Sequence, residues 1–314
     1  MQNKKNVLKN PLFVCLLATL CCALWGSAFP SIKTGYRLFE ISSQDYSSQI
    51  LFAGIRFFLA GLLTILFGSI LSKKLLLPKK SSAGKTALLA LFQTVLQYVF
   101  FYIGLAHTTG TKGSIINSTS VFFAVIISSL IFKQERLSTS KLFGCVIGFA
   151  GTVIINLTSS GLNTDMSFLG EGFIILSSLS YAVSSVLIKR FSAYENPVTL
   201  SGYQFALGGI VMALFGALSG GRLTVLTIKG AVLLLYLAFV SAMAYTLWGV
   251  LLKYNEVSQV AVYGFMTPVF GCIMSAVFLK ESASQSAVQT ALALVLVCMG
   301  IYLVNMKEKG VNYD

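Results

Sequence analysis

The chain has 314 residues, of which 56% are hydrophobic and 11% charged, with a mean hydropathy of +0.81. A water-soluble domain of this length carries more charge and less apolar surface, so a soluble globular reading is excluded. The formal net charge of +13 does not point to a nucleic-acid partner, because the basic residues fall in short runs between apolar stretches and never cover one helical face.

In chain order the apolar stretches run over 12–35, 47–71, 84–106, 111–132, 139–157, 167–188, 198–218, 228–252, 257–279 and 285–306. Each is about 20 residues long, the length that crosses a bilayer as a helix. Hydrocarbon offers no water to the backbone, so every N–H and C=O must be satisfied within the segment; barrel strands would be about ten residues long and alternate in polarity. The prediction is an all-α integral membrane protein of ten transmembrane helices forming one membrane domain. The first stretch follows Lys4, Lys5 and Lys9 as a signal peptide would, yet it continues through WGSAFP without an evident small-residue cleavage site, so it is expected to stay in the membrane. All six cysteines (Cys15, Cys21, Cys22, Cys145, Cys272, Cys298) lie inside predicted helices without metal-ligand spacing. Small apolar packing is their expected role, and no disulfide, metal or cofactor is expected.

Loop charges set the orientation. With the N-terminus inside, sixteen lysines and arginines fall on the inner side, among them Lys73, Lys74, Lys79, Lys80, Lys133 and Arg136. Six fall outside (Lys33, Arg37, Lys112, Arg222, Lys229, Lys280), and Arg56 remains within a helix. The positive-inside rule then predicts a multi-pass protein of the cell (plasma or inner) membrane with both termini cytoplasmic.

The sequence also repeats itself. Trp25 to Lys33 (WGSAFPSIK) aligns with Tyr181 to Lys189 (YAVSSVLIK) at an offset of 156, and Ile55 to Leu63 (IRFFLAGLL) with Tyr203 to Val211 (YQFALGGIV) at 148. From Leu91 to Glu135 an offset of 146 carries helices 3 and 4 onto helices 8 and 9, pairing Tyr102 with Trp248, Phe132 with Phe278 and Glu135 with Glu281. The chain therefore reads as two five-helix repeats, 1–160 and 161–314. Five is odd, so the second repeat enters the membrane from the opposite side, and the repeats are inverted, an arrangement suited to alternating access around a midplane site.

These segments resemble the EamA-type transporters of the drug/metabolite transporter superfamily. ALWGSAFPSIK is similar to that family's first-helix pattern, IRFFLAGLL to its second, and FKQERLSTSKLFGCVIGFAG to the boundary between its fourth and fifth helices, with Glu135, Gly144 and Gly151 at family spacing. The family usually carries a proline in the middle of helix 4. Here that region reads Ser120-Val121-Phe122, so the resemblance gives no ground for a kink there, whereas helix 9 keeps Thr267-Pro268. The resemblance implies ten helices, cytoplasmic termini and transport of small organic solutes, often export of amino acids or related metabolites.

A carrier site needs polar and aromatic side chains sharing a face well inside the spans. Helix 3 supplies Gln93, Thr94, Gln97, Tyr98, Phe101 and Tyr102 at helical spacing, and helix 8 supplies Ser241, Tyr245 and Trp248. Helix 4 offers Asn117 and Ser120, whose repeat mates are Tyr263 and Met266, so a polar wall is expected to face an aromatic one. Trp25 and Tyr181 are mates on helices 1 and 6. The expected substrate-binding residues are Trp25, Gln97, Tyr98, Tyr102, Asn117, Ser120, Tyr181, Tyr245, Trp248 and Tyr263. Such aromatic faces suit a flat apolar group or a cation.

Five further residues are expected to be structural or gating. Arg56 is a basic residue inside a span, opposite its neutral mate Gln204 and within reach of the outer interface, where it could snorkel. Lys33 and Lys189 are expected at opposite membrane faces. Pro30 and Pro268 are expected to kink their helices, and glycines such as Gly26 and Gly249 to permit close packing. Glu135 and Glu281 are expected to organise the turns after helices 4 and 9, with Ser138 and Ser284 as N-caps. Asp165 and Glu171 fall at the outer start of helix 6, and no carboxylate occupies a helix middle. The single histidine, His107, has no second ligand nearby, and metalloprotease, nucleophile-elbow and P-loop patterns are absent, which argues against a membrane enzyme. A channel lacks support in any filter-like motif or ring of charges. The expected partners are a small organic solute and the lipid bilayer, in a monomer or a homodimer.

Overall fold

The computed structural model describes residues 7–42, 44–108, 110–157, 166–225, 227–279 and 287–306, and among them every regular element is helical. Ten helices are long and apolar enough to cross a membrane: α1 Pro11–Leu38, α2 Tyr46–Ser72, α3 Lys80–Leu105, α4 Gly113–Ile131, α5 Thr139–Asn156, α6 Phe168–Phe191, α7 Pro197–Leu218, α8 Ile228–Tyr254, α9 Val257–Met274 and α10 Val288–Asn305. The predicted bounds differ from these mainly at the helix ends, where polar caps take over from hydropathy. Asn10 caps α1 by accepting from the Leu12 N–H at 2.9 Å, with Pro11 in the first turn. Asp45, Ser138, Asn196 and Thr227 cap α2, α5, α7 and α8 in the same way, each satisfying N–H groups that a helix start leaves open. Glu281, Ser284 and Asp165 lie outside the described residues.

Three helices depart from regular α geometry where they approach the centre. In α3 the segment Leu91–Leu96 is a π-helical turn, immediately before Gln97 and Tyr98, whose side chains reach Tyr245. Serines of α6 cover carbonyls of this stretch: the Ser180 Oγ donates to the Phe92 carbonyl at 2.7 Å and the Ser177 Oγ to the Gln97 carbonyl at 2.8 Å. Side-chain hydroxyls are the usual rescue for released backbone acceptors in a water-free layer.

The helix α4 breaks at Ser118 and Thr119 although no proline is present. The Thr119 N–H bonds to the Ile116 carbonyl, while the Ser118 and Thr119 hydroxyls donate back to Ser114 and Ile116 at 3.0 and 2.6 Å. Hydroxyl back-bonding bends the helix where the family's proline is missing. In α9 a 3-10 stretch over Val262–Phe265 precedes Pro268, a tightening expected where proline withholds its N–H.

Packing has an internal symmetry. The most extensive contacts join α2 to α7 and α5 to α10; α1 packs on α8 and α9, and α6 packs on α3 and α4. Exchanging α1 with α6, α3 with α8 and α4 with α9 maps this pattern onto itself, as two inverted five-helix repeats require. Backbones touch along the α2–α7 seam. A Cβ added to Gly54 would lie 2.3 Å from the Ala213 nitrogen, and one added to Gly209 would lie 2.3 Å from the Phe58 nitrogen. Leu16, Leu20, Leu66, Ile70, Phe143, Leu214 and Leu218 are exposed on the outside, a surface that lipid covers. One end of the bundle carries the α2–α3, α4–α5, α6–α7 and α8–α9 turns and is called the lysine-rich end below; the other is the far end.

Candidate functional site

At mid-bundle, side chains from six helices and both repeats form an aromatic box. The Trp25 ring of α1 meets Tyr245 and Trp248 of α8 edge-on, with centroids 5.0 and 4.9 Å apart. Phe57 of α2 stacks on Phe205 of α7 at 5.4 Å and 16°, and Phe57 also lies 4.3 Å from Tyr98 of α3. Phe205 is perpendicular to Tyr245 at 5.1 Å, and Tyr181 of α6 packs on the same cluster. The phenol oxygens of Tyr98 and Tyr245 are 2.6 Å apart, and Gln97 donates to the Tyr245 oxygen at 3.4 Å. Tyr102 is 6.1 Å from Tyr98 and buried.

Seven of the ten residues expected to bind substrate therefore meet here: Trp25, Gln97, Tyr98, Tyr102, Tyr181, Tyr245 and Trp248. Asn117 and Ser120 of α4 and Tyr263 of α9 make no ring contact or hydrogen bond with these side chains, although Tyr263 shares a hydrophobic cluster with Trp248. The Asn117 carbonyl accepts from Ser178, Ser120 is buried, and Tyr263 sits against α1, where the Cys22 thiol donates to its carbonyl at 3.1 Å. Phe57 and Phe205 join the box without having been singled out, although the 148 offset pairs them.

Arg56 does not snorkel. It is 2% exposed, and its Nε and Nη2 donate to the Ser241 hydroxyl of α8 at 3.2 and 2.9 Å, with a 3.3 Å bond from Nε to the Leu237 carbonyl. Its mate Gln204 makes the corresponding cross-link in the other half, accepting from the Thr94 hydroxyl of α3 at 2.7 Å. Several polar atoms around the box are buried without a hydrogen-bond partner: the indole nitrogens of Trp25 and Trp248, the Gln97 Oε1 and the Arg56 Nη1. Buried polar groups are normally satisfied, so such a concentration marks a place prepared for something else.

At the lysine-rich end side chains of the two repeats are tied together. Glu135, in the α4–α5 turn, has a fully buried side chain and accepts from the Ser128 hydroxyl, from the Ser258 N–H at 3.1 Å and from the Ser258 hydroxyl. The Lys141 Nζ lies 2.9 Å from Glu135 and 2.8 Å from Glu256. Lys189 donates to the Asn255 carbonyl, and the Asn255 amide to the Leu8 carbonyl at 3.0 Å. Burial opposes a charged Glu135, but the serine donors and the Lys141 ammonium outweigh it and hold its pKa below the ordinary 4.5. Glu195, at the same end, is likewise pulled down: burial opposes its charge, and the N–H groups of Lys79 and Asn196 prevail.

The expected turn-organising role of Glu135 thus extends to a link with α9, which the sequence did not indicate; Ser138 caps α5 as expected, accepting from the Lys141 N–H at 3.3 Å. Lys33 is exposed. A cavity of about 460 Å³ opens at this same end between Leu8, the 192–197 turn and Lys253, and none of the expected substrate-binding residues line it.

Ten helices of membrane-spanning length define an integral membrane protein. The sequence profile of the EamA-like transporter family matches twice, over residues 12–157 and 168–306, and the chain belongs to that family. It is 27% identical over 297 residues to an uncharacterized transporter of Archaeoglobus fulgidus, covering 93% of this chain and 99% of that protein. It is 27% identical to the uncharacterized transporter YvbV of Bacillus subtilis, covering 94% and 92%. A probable amino-acid metabolite efflux pump of Salmonella typhimurium is 28% identical, with 91% and 93% covered. A crystal structure superposes with a TM-score of 0.74 at 18% identity, covering 93% of this chain and 98% of the other, which concerns the fold alone. The family is one of transporters, in line with the expectation of a carrier rather than an enzyme.

Proposed function

We propose that the protein is a secondary carrier that moves a small organic solute across the cell membrane by alternating access, with the aromatic box as its binding site. The observation that carries this reading is the box itself: six helices from both repeats converge on rings and unpartnered polar atoms at mid-bundle. Two repeats, 1–160 and 161–314, would rock about the α2–α7 seam. The state described has the lysine-rich end tied by Glu135, Lys141 and Glu256, and release of that tie would open the box to that side. By the positive-inside rule this end and both termini are cytoplasmic. The resemblance of the chain to a probable amino-acid metabolite efflux pump supports amino acids or related metabolites as solutes and export as the direction.

Exchange in proteoliposomes against amino acids, nucleosides, sugars and organic cations tests this. Saturable flux, stimulated by countersubstrate, is expected for at least one class; unsaturated conductance would mean a channel. Tyr98→Ala and Trp248→Ala are expected to abolish the flux. Parental flux in both folded variants would remove the box from the pathway. Cysteine labelling near Lys79 and near Arg222 tests the orientation, and labelling of the Lys79 turn from outside would reverse it.

A further inference from the structure

We propose that Arg56 selects the solute by pairing with a carboxylate, so that the box takes organic acids with an aromatic or branched apolar body. This rests on the carrier reading above. Arg56 lies ten residues into α2, about 15 Å along the axis from the far end and near the middle of a hydrocarbon layer about 30 Å thick. A guanidinium is a permanent cation with five N–H donors, and an isolated charge at this depth is expensive. The protein does not neutralise it. Among the described residues no carboxylate pairs with Arg56; its neighbours include the phenols of Tyr36, Tyr98, Tyr102 and Tyr245, of which Tyr102 is near enough to interact directly with the guanidinium. The Phe57 ring, 5.1 Å from its central carbon, offers a cation a face but no counter-charge.

A structural purpose does not account for the charge. The symmetry-related position is Gln204, which is fully buried and joins α7 to α3 through Thr94, just as Arg56 joins α2 to α8 through Ser241. A neutral amide is enough to make that cross-link. What Arg56 adds is a positive charge; its Nη1 is buried without an acceptor, as is the Nε2 of Gln204, so the charge is the difference between the two positions. A bound carboxylate would satisfy both the charge and the Nη1 donor, since the planar guanidinium fork matches a carboxylate in geometry. Phe57 lies against the guanidinium, Phe205 stacks on Phe57 and meets Tyr245 edge-on, and Trp25 of α1 packs on Tyr245 and on Trp248 further along α8; these rings suit an apolar body. An amine headgroup there would meet a like charge in a medium that screens poorly.

The test uses the purified full-length protein and exploits the fact that its only two tryptophans, Trp25 and Trp248, both line the box. Their fluorescence is titrated with phenylacetate, phenylacetamide and phenethylamine, and with 4-methylpentanoate and its amide and amine. The acids are expected to quench at concentrations at least about tenfold below their amides, the difference between a charge-assisted and a neutral contact, and the amines to be without effect. Arg56→Gln is expected to erase the preference for acid over amide while the amide titration moves by less than about twofold, and Arg56→Lys to keep the preference at reduced affinity.

Amides or amines binding as tightly as acids in the parent protein would overturn the proposal, as would the absence of quenching by either acid. An undiminished acid preference in Arg56→Gln would also overturn it. Should that variant not fold, the parent titrations and Arg56→Lys decide. Flux in proteoliposomes separates the two readings. Saturable flux of amines or neutral solutes, with no acid bound, removes the role of Arg56 and leaves the carrier standing, whereas acid-selective quenching without saturable flux of any solute removes the carrier and leaves the site.

Discussion

Glu135→Gln isolates the tie at the lysine-rich end. The parent carboxylate accepts from two serine hydroxyls, one backbone N–H and the Lys141 ammonium, all with its side chain out of solvent. The amide keeps one acceptor oxygen and turns an NH2 toward groups that were donating. Serine hydroxyls can rotate to accept, but an ammonium cannot. Removing one partner of a buried pair costs about 3–5 kcal/mol when the remaining charge is stranded. Here Lys141 keeps Glu256 at 2.8 Å, so the expected loss is smaller, about 2 kcal/mol, in the range of a hydrogen bond to a charged group. If the bonds exist only while this end is closed, the closed-to-open ratio falls about thirtyfold. Amide hydrogen exchange measures it, because the Ser258 N–H is itself one of the bonds to Glu135. Exchange over 255–262 is expected to accelerate by about that factor while the amides of α2 and α7 stay unchanged. Unchanged exchange in the α8–α9 turn, or a uniform rise through the whole bundle, would refute the tie as a gate and leave Glu135 as general scaffolding.

The same carboxylate makes a pH prediction. Its folded pKa lies below the ordinary 4.5, so its contribution to closure is present above that value and is lost as pH falls through the folded one; exchange at 255–262 should be flat from about pH 6 to 8 once corrected for the intrinsic rate and rise only in acid. Gly54→Ala places a methyl 2.3 Å from the Ala213 backbone nitrogen, where no side chain can give way, and is expected to cost about 1–3 kcal/mol, read as a lower thermal midpoint in detergent. Tyr98→Phe deletes the 2.6 Å hydroxyl pair with Tyr245 at about 1 kcal/mol, and should alter the KM for flux by several-fold with little change in expression.

Ten helices were legible because a bilayer permits few alternatives: apolar runs of spanning length must be helical and their loops must be short. One contact of the box was legible too, since the 148 offset pairs Phe57 with Phe205, which stack at 5.4 Å. Helical irregularity was not legible. Even spacing along ideal helices was the ground for grouping Asn117 and Tyr263 with the site, and no local pattern announces the break at Ser118 and Thr119 or the 3-10 turn at Val262–Phe265 beside them. The π-helical turn in α3 just before Gln97 and Tyr98 was equally invisible. Arg56 was open to two readings, outward to headgroups or inward, and only the position of Ser241 decides between them. The reach of Glu135 to Ser258 spans 123 residues of sequence, and no local pattern encodes it.

Arg56 and Gln204 show how a symmetric scaffold comes to hold an asymmetric site. Each crosses from the second helix of one repeat to the third helix of the other, and each ends on a hydroxyl, Ser241 or Thr94. The seam between α2 and α7 therefore keeps equivalent cross-links on both sides, as two halves that exchange conformations would need. Only one of the pair is charged. Under the proposed cycle the motion belongs to what the repeats share, while the field at the box belongs to what they do not, and it points the same way in both states. A carrier built like this can change its solute by substitutions at one member of a pair without disturbing its mate. Gln204→Ala should therefore loosen the α3–α7 contact and lower the thermal midpoint but leave the order of solute preference intact, and Arg56→Gln should do the reverse. If both variants changed the preference alike, the division between moving frame and selecting side chains would not hold.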